Sequence, residues 1–184
     1  MAIILNNISK SFDGKMILDG FSYSFKDGEM YLLKGPSGIG KTTLLNIIMK
    51  LIKPDQGTVE TSDRVSALFQ QYRLLEYYDV KTNLKLVSDR SDLKQIVCEL
   101  LPEEAYDQPV HQLSGGMKQR VCIIRALIAQ SDTVIMDEPF NGLDEKNIGN
   151  ILEFIRKYLN GRTLIISTHQ FEFLKDFNMN VIEL

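Results

Sequence analysis

Gly35-Pro36-Ser37-Gly38-Ile39-Gly40-Lys41-Thr42 follows the spacing G-x-x-x-x-G-K-S/T. This octapeptide decides how the rest of the chain is read. Glycines at these positions let the backbone turn tightly and aim successive N–H groups into one concavity, where they can hold phosphate oxygens. The run before it, Met30–Lys34, reads as a short strand. Residues 42–51 have helical apolar spacing, and Pro54 with Gly57 stops that helix. A strand feeding a glycine loop that opens a helix adds the positive helix terminus to the same point. Lys41 supplies a charge to the β- and γ-phosphates, Thr42 a hydroxyl to Mg²⁺, and Thr43 reaches the α-phosphate. The pattern arises by accident in on the order of one chain in a hundred. With its strand and helix in place, it predicts a nucleoside triphosphate site.

Working outward, strands alternate with helices. Residues 2–5 and 21–25 are short β-type runs separated by an Asp13-Gly14 turn, and residues 65–69 form another strand. Residues 72–112 are polar and helix-prone; Asp92 is placed to cap a helix over 91–101 that Pro102 ends. Residues 114–130 and 147–159 have helical spacing, and residues 133–136 and Thr163–Ser167 are buried strands. The expectation is an α/β fold: a P-loop NTPase with a mainly parallel core sheet, a small antiparallel β subdomain and a helical insert. One domain covers 1–184, with the insert at about 72–130.

Composition narrows the class. At 44% hydrophobic and 24% charged, the 184-residue chain has enough apolar mass for one core, which excludes general disorder. A net charge of -3 argues against nucleic acid as the main partner, since phosphate binding needs a basic face. Cys98 and Cys122 are isolated from each other and from histidine clusters, so they read as small apolar residues in a reducing compartment. The N-terminal residues lack the pattern of a signal peptide, and no apolar stretch reaches the ~20 residues of a bilayer span. Action at a membrane would therefore need a second, spanning chain.

Two further segments carry chemistry. Val134-Ile135-Met136-Asp137-Glu138 is an apolar strand ending in two carboxylates. Alone, such a pair reads as a solvated helix cap. Beside a P-loop, it reads as Asp137 binding Mg²⁺ through water and Glu138 orienting and polarising the attacking water. Leu113-Ser114-Gly115-Gly116-Met117 places a serine and two glycines at a helix start. Its residues leave two readings open, an ordinary capped helix or a second anion-binding surface.

Taken in order, residues 35–42, the LSGG of residues 113–116 with Met117-Lys118-Gln119-Arg120, and residues 134–138 resemble the Walker A, signature and Walker B motifs of the ATP-binding cassette (ABC) ATPases. The resemblance covers nearly the whole chain, and the signature is highly specific. It implies roles that single residues could not carry, since a lone Phe reads as core and a lone His as a strand-edge residue. By resemblance, Phe12 stacks on adenine, and Gln70 touches Mg²⁺ and communicates with a membrane subunit. Asn141-Gly142-Leu143-Asp144 corresponds to the D-loop, and His169 to the switch histidine near the γ-phosphate. The family further implies a head-to-tail dimer, a homodimer here, with ATP between the P-loop of one copy and the signature of the other. It also implies a separate transmembrane permease and a cytoplasmic, peripheral position on the inner face of the cell membrane.

Met117, where glutamine is commoner, and Phe140 resemble the cassettes of nitrate-, sulfonate- and taurine-type importers, whereas Asn141-Gly142 departs from that group. The segment before Gln70 and the helical insert are short, and the sequence stops soon after His169, so the usual closing strands are expected to be missing. Two alternatives to a transporter ATPase are a soluble cassette ATPase acting on DNA or translation and a non-catalytic regulator. The first usually carries long insertions or two cassettes in one chain; intact Asp137, Glu138 and His169 disfavour the second.

Overall fold

Strands buried on both faces need apolar residues at successive positions, and the uninterrupted runs of this sequence meet that need. The computed structural model describes residues 2–61 and 64–184. It assembles β3 (Met30–Lys34), β5 (Val65–Leu68), β6 (Thr133–Asp137), β7 (Thr163–Ser167) and β8 (Asn180–Glu183) into one sheet in the order β5-β6-β7-β3-β8. Every pairing within it is parallel. Alternate side chains feed two cores. Val134 and Met136 of β6 and Leu164 and Ile166 of β7 face one, while Ile135 and Ile165 face the other.

The second of these cores lies under α1 (Lys41–Ile48), which contributes Leu44, Leu45, Ile47 and Ile48. It is closed by a three-stranded antiparallel sheet of β1 (Ile3–Phe12), β2 (Lys15–Phe25) and β4 (Gln56–Glu60), ordered β2-β1-β4. Ile3, Leu5, Ile8, Leu18 and Phe25 are its inward residues. On the opposite face lie α2 (Val80–Lys85), α3 (Leu93–Cys98), α4 (Gly115–Ile128) and α5 (Glu145–Leu159), with two 3-10 turns between α3 and α4. Asp79 caps α2 by accepting from the Thr82 N–H at 2.6 Å. Just inside that helix the fully buried Asn83 binds the N–H and C=O of Leu75, which fixes the loop that follows Gln70. No helix among the described residues is long and apolar enough to cross a membrane.

Several expectations need correction. The closing strands are not all missing: residues 180–183 form β8, parallel to β3. Only Ile182 of that strand is buried, so its pattern is too short to announce a strand. The N-terminal runs extend to ten and eleven residues, because register shifts break the alternation that would have revealed them. Gly57 does not simply stop a helix; it sits inside β4 at φ +91, where a Cβ would run into the carbonyl oxygens of Asn6 and Asn7. Asp92 precedes α3 without a side-chain cap, because its carboxylate is bound by Arg90 at 2.6 and 2.8 Å.

Candidate nucleotide site

The register of the parallel sheet places the site. Leu33 of β3 lies opposite Ser167 of β7, and Ser167 opposite Asp137 of β6. The three strands therefore end side by side, and the loops that leave them share one edge, as expected where ligands bind open α/β sheets. The Thr42 hydroxyl donates to Asp137 Oδ2 at 2.7 Å, and Ser167 Oγ donates to Asp137 Oδ1. Lys41 is 6% exposed, and its ammonium is held by the carbonyl oxygens of Gly35 at 2.8 Å and Pro36 at 3.0 Å. The charge is thus fixed inside the curve of its own loop. Gly40 starts α1 at φ +119, and a Cβ there would come within 2.9 Å of Ile17 Cγ2. Only glycine lets the loop close on the antiparallel sheet.

Glu138 follows directly. Its backbone lies at φ +53, its N–H donates to the Ser167 carbonyl at 2.8 Å, and its carboxylate meets His169 twice. The His169 N–H donates to Oε2, and the ring Nε2 lies 3.3 Å from Oε1. Phe12 projects from the end of β1, 44% exposed, with Lys10 Nζ 5.3 Å from its ring centre. These groups line a cleft of about 340 Å³ together with Ser37, Gly38, Thr43 and Gln70. Pro36 and Ile39 belong to the same loop on its exposed side.

The donor set suits a triphosphate arriving with a hard cation. A hydroxyl and a carboxylate stand together at Thr42 and Asp137, which matches an ion that takes few protein oxygens and keeps water and phosphate oxygens. Among the described residues no group of three or more acidic, histidine or cysteine side chains forms a self-contained metal cage. The fit is to a metal shared with substrate.

The signature residues are not in this cleft. Leu113 is buried, Ser114 and Gly115 are exposed, and Ser114 Oγ caps α4 by accepting the Met117 N–H at 3.3 Å. Gly116 lies beside residues 142 and 143: a Cβ on it would meet the Gly142 carbonyl oxygen at 3.4 Å, an ordinary van der Waals contact. Asp144 stands at the N-terminus of α5, exposed and without a side-chain cap. Met117 packs partly against the larger core, and Phe140 is wholly buried, edge-on to Phe173. Sequence reasoning missed the contacts of α4 with its own subunit. Gln119 donates to the carbonyls of Glu138 and Pro139, while Cys122 and Arg125 donate to those of Tyr72 and Arg73, just after Gln70. A polar residue on the apolar face of α4 was the available signal.

A glycine-turned loop between a parallel strand and a helix, with a carboxylate at the end of a nearby strand, defines a P-loop nucleotide-binding domain. Residues 18–141 match the model of the ABC transporter family, and the chain belongs to that family. It is 31% identical to a probable amino-acid ABC transporter ATP-binding protein of Haemophilus influenzae, covering 97% of this chain and 82% of that one. It is 34% identical to the Nod factor export ATP-binding protein I of Burkholderia orbicola, covering 92% of this chain and 63% of the relative. Among solved structures it resembles a dimeric, post-hydrolysis ATP-binding cassette bound to ADP and Pi. That likeness has a TM-score of 0.86 at 27% identity and covers 99% of this chain and 94% of the other. The chain is accordingly an ATP-binding cassette whose ATPase activity energises transport.

Proposed function

We propose that the chain works as half of a cassette dimer, with Mg²⁺-ATP sandwiched between the cleft of one copy and Leu113, Ser114, Gly115, Gly116 and Met117 of the other. The observation that carries this reading is the separation of two phosphate-binding surfaces within one chain: the exposed Ser114 end of α4 is absent from the lining of the cleft. A second copy gives that end something to bind. The dimeric state of the related cassette with ADP and Pi supports the same arrangement.

Within the cleft, the backbone of residues 35–40 and the Lys41 ammonium cradle the phosphates, and Phe12 offers a face to the adenine. Thr42, Asp137 and Gln70 would hold Mg²⁺, which neutralises charge building on the phosphate oxygens. Glu138 takes the proton of the water that attacks the γ-phosphorus; the bond to the bridging oxygen breaks, and ADP and phosphate leave. His169 holds the Glu138 carboxylate and faces the γ-phosphate, and Asp144 lies on the opposing D-loop. The domain spans 1–184, with its helical subdomain at about 72–130. A separate permease keeps it on the inner face of the cell membrane and is moved as the dimer closes on ATP and loosens after hydrolysis.

Lys41→Ala tests the cleft. Losing a buried cation that makes two or more charge-assisted bonds weakens binding by about 100-fold or more. Titration with a fluorescent ATP analogue reads this directly, and unchanged affinity would remove the P-loop from the account.

A further inference from the structure

Gln119 is the polar exception on the buried face of α4. It is 3% exposed and lies on the same helix face as Cys122, Ile123 and Ala126. A buried amide needs partners, and the two that its nitrogen finds are the backbone carbonyls of Glu138 at 3.2 Å and Pro139 at 2.9 Å. Carbonyls only accept, so chemistry fixes which end of the amide faces the turn. Both donor hydrogens are thereby committed to two successive peptide groups.

That turn is an unusual one. Glu138 stands at φ +53, a region that side-chain-bearing residues seldom occupy and that persists only where surroundings enforce it. One side of the residue is held by β7, through the N–H bond to Ser167. The other side is held at the carbonyl, by the Asn141 N–H at 3.2 Å and by Gln119. Removing Gln119 takes away one of the two bonds on the Glu138 carbonyl and the bond to Pro139, leaving Asn141 on the carbonyl and His169 on the carboxylate, so the direction in which the carboxylate leaves the backbone is held less firmly.

We propose that Gln119 is a positioning residue for hydrolysis: the signature helix, through this amide, sets the aim of Glu138 in its own subunit. Gln119 is not among the residues that line the cleft. It acts five residues beyond Ser114, on the inward face of the helix whose start is exposed. The proposal rests on the reading of Glu138 as the group that polarises the attacking water.

The test measures single-turnover ATP hydrolysis with Mg²⁺ for the full chain carrying Gln119→Met, Glu138→Gln, or both. Methionine keeps the length and loses the donors. Gln119→Met is expected to lower the hydrolysis rate about 10- to 100-fold, with affinity for a fluorescent ATP analogue within twofold of the parent. In the double variant it is expected to add nothing to the loss from Glu138→Gln, because both act through one carboxylate. A rate within twofold of the parent overturns the proposal. So does a loss that multiplies fully with Glu138→Gln, or one matched by weakened nucleotide binding, since a general packing defect gives either. If Glu138→Gln itself hydrolyses normally, the reading of Glu138 fails and Gln119 falls with it, a result visible before the double variant is made. Should the methionine variant not fold, Gln119→Asn keeps an amide one methylene too short and is held to the same outcomes.

Discussion

Tyr31 and Cys122 show how single buried groups report on the fold. Tyr31 is 1% exposed, and its hydroxyl takes the Lys26 N–H and donates to Glu29; burial pushes its pKa up to about 12. Burial likewise pushes the Cys122 thiol up to about 11, from an ordinary 9.0. Both groups are neutral in the folded chain well past the pH at which the unfolded chain ionises. Above about pH 9 the unfolded state binds fewer protons than the folded one, so stability falls as pH rises. Urea midpoints should be level from pH 7 to 8.5 and should drop steadily from pH 9 to 11. At pH 8, one thiol per folded chain should react quickly with a maleimide, the exposed Cys98, and the second only in denaturant. Equal reactivity of both thiols would contradict the burial of α4. At this scale the sequence was most informative where a residue works inside its own motif. The spacing of residues 35–42 predicts a phosphate loop, and Asp137 and Glu138 at the end of an apolar run read as its partners because that loop is present. Gln119 was not legible, because its partners are backbone carbonyls, which leave no mark in the sequence, and only the folded chain brings them together.

Elements add a different constraint, the ends of helices. Carbonyls at the ends of α4 and α5 are gathered by Arg162. Its guanidinium donates to Leu127 O at 2.6 Å in the last turn of α4 and Ala129 O at 3.0 Å just after it, and to Tyr158 O at 2.7 Å and Leu159 O at 2.9 Å in α5. Ser131 Oγ takes a further bond at 2.9 Å. A planar fork can do this and a point charge cannot. Half-burial draws the Arg162 pKa down, yet the group stays protonated across the working range. Arg162→Ala should cost about 3 kcal/mol, the loss of several bonds that leave carbonyls unmatched. For a chain of this size that is a fall in Tm of roughly 6–12 °C. Arg162→Lys should recover less than half of it, and a full recovery would mean that charge, and not geometry, matters there. Elements with a continuous apolar run, β3, β6 and β7, were readable from sequence. β4 was hidden by Gly57 and β8 by its single buried residue, because a pattern needs repeats before it shows.

The whole molecule keeps two surfaces apart. One face carries a cleft with Lys41, Asp137 and Glu138, and the exposed start of α4 carries Ser114 and Gly115. α4 also reaches inward, to Glu138 through Gln119 and to the segment after Gln70 through Cys122 and Arg125. In the proposed dimer, a helix that meets the partner's nucleotide at Ser114 and its own Glu138 turn five residues later would link the two halves mechanically. The measurement that bears most directly on this account is the mass in solution of Glu138→Gln protein, with and without ATP, by light scattering. Slow hydrolysis should trap the closed form, so the mass should double with ATP and return to the monomer value without it. Ser114→Arg in the same background should bind ATP and stay monomeric. Protein that remains a monomer at high concentration in saturating ATP, or that dimerises equally well with Arg at position 114, would contradict the shared site.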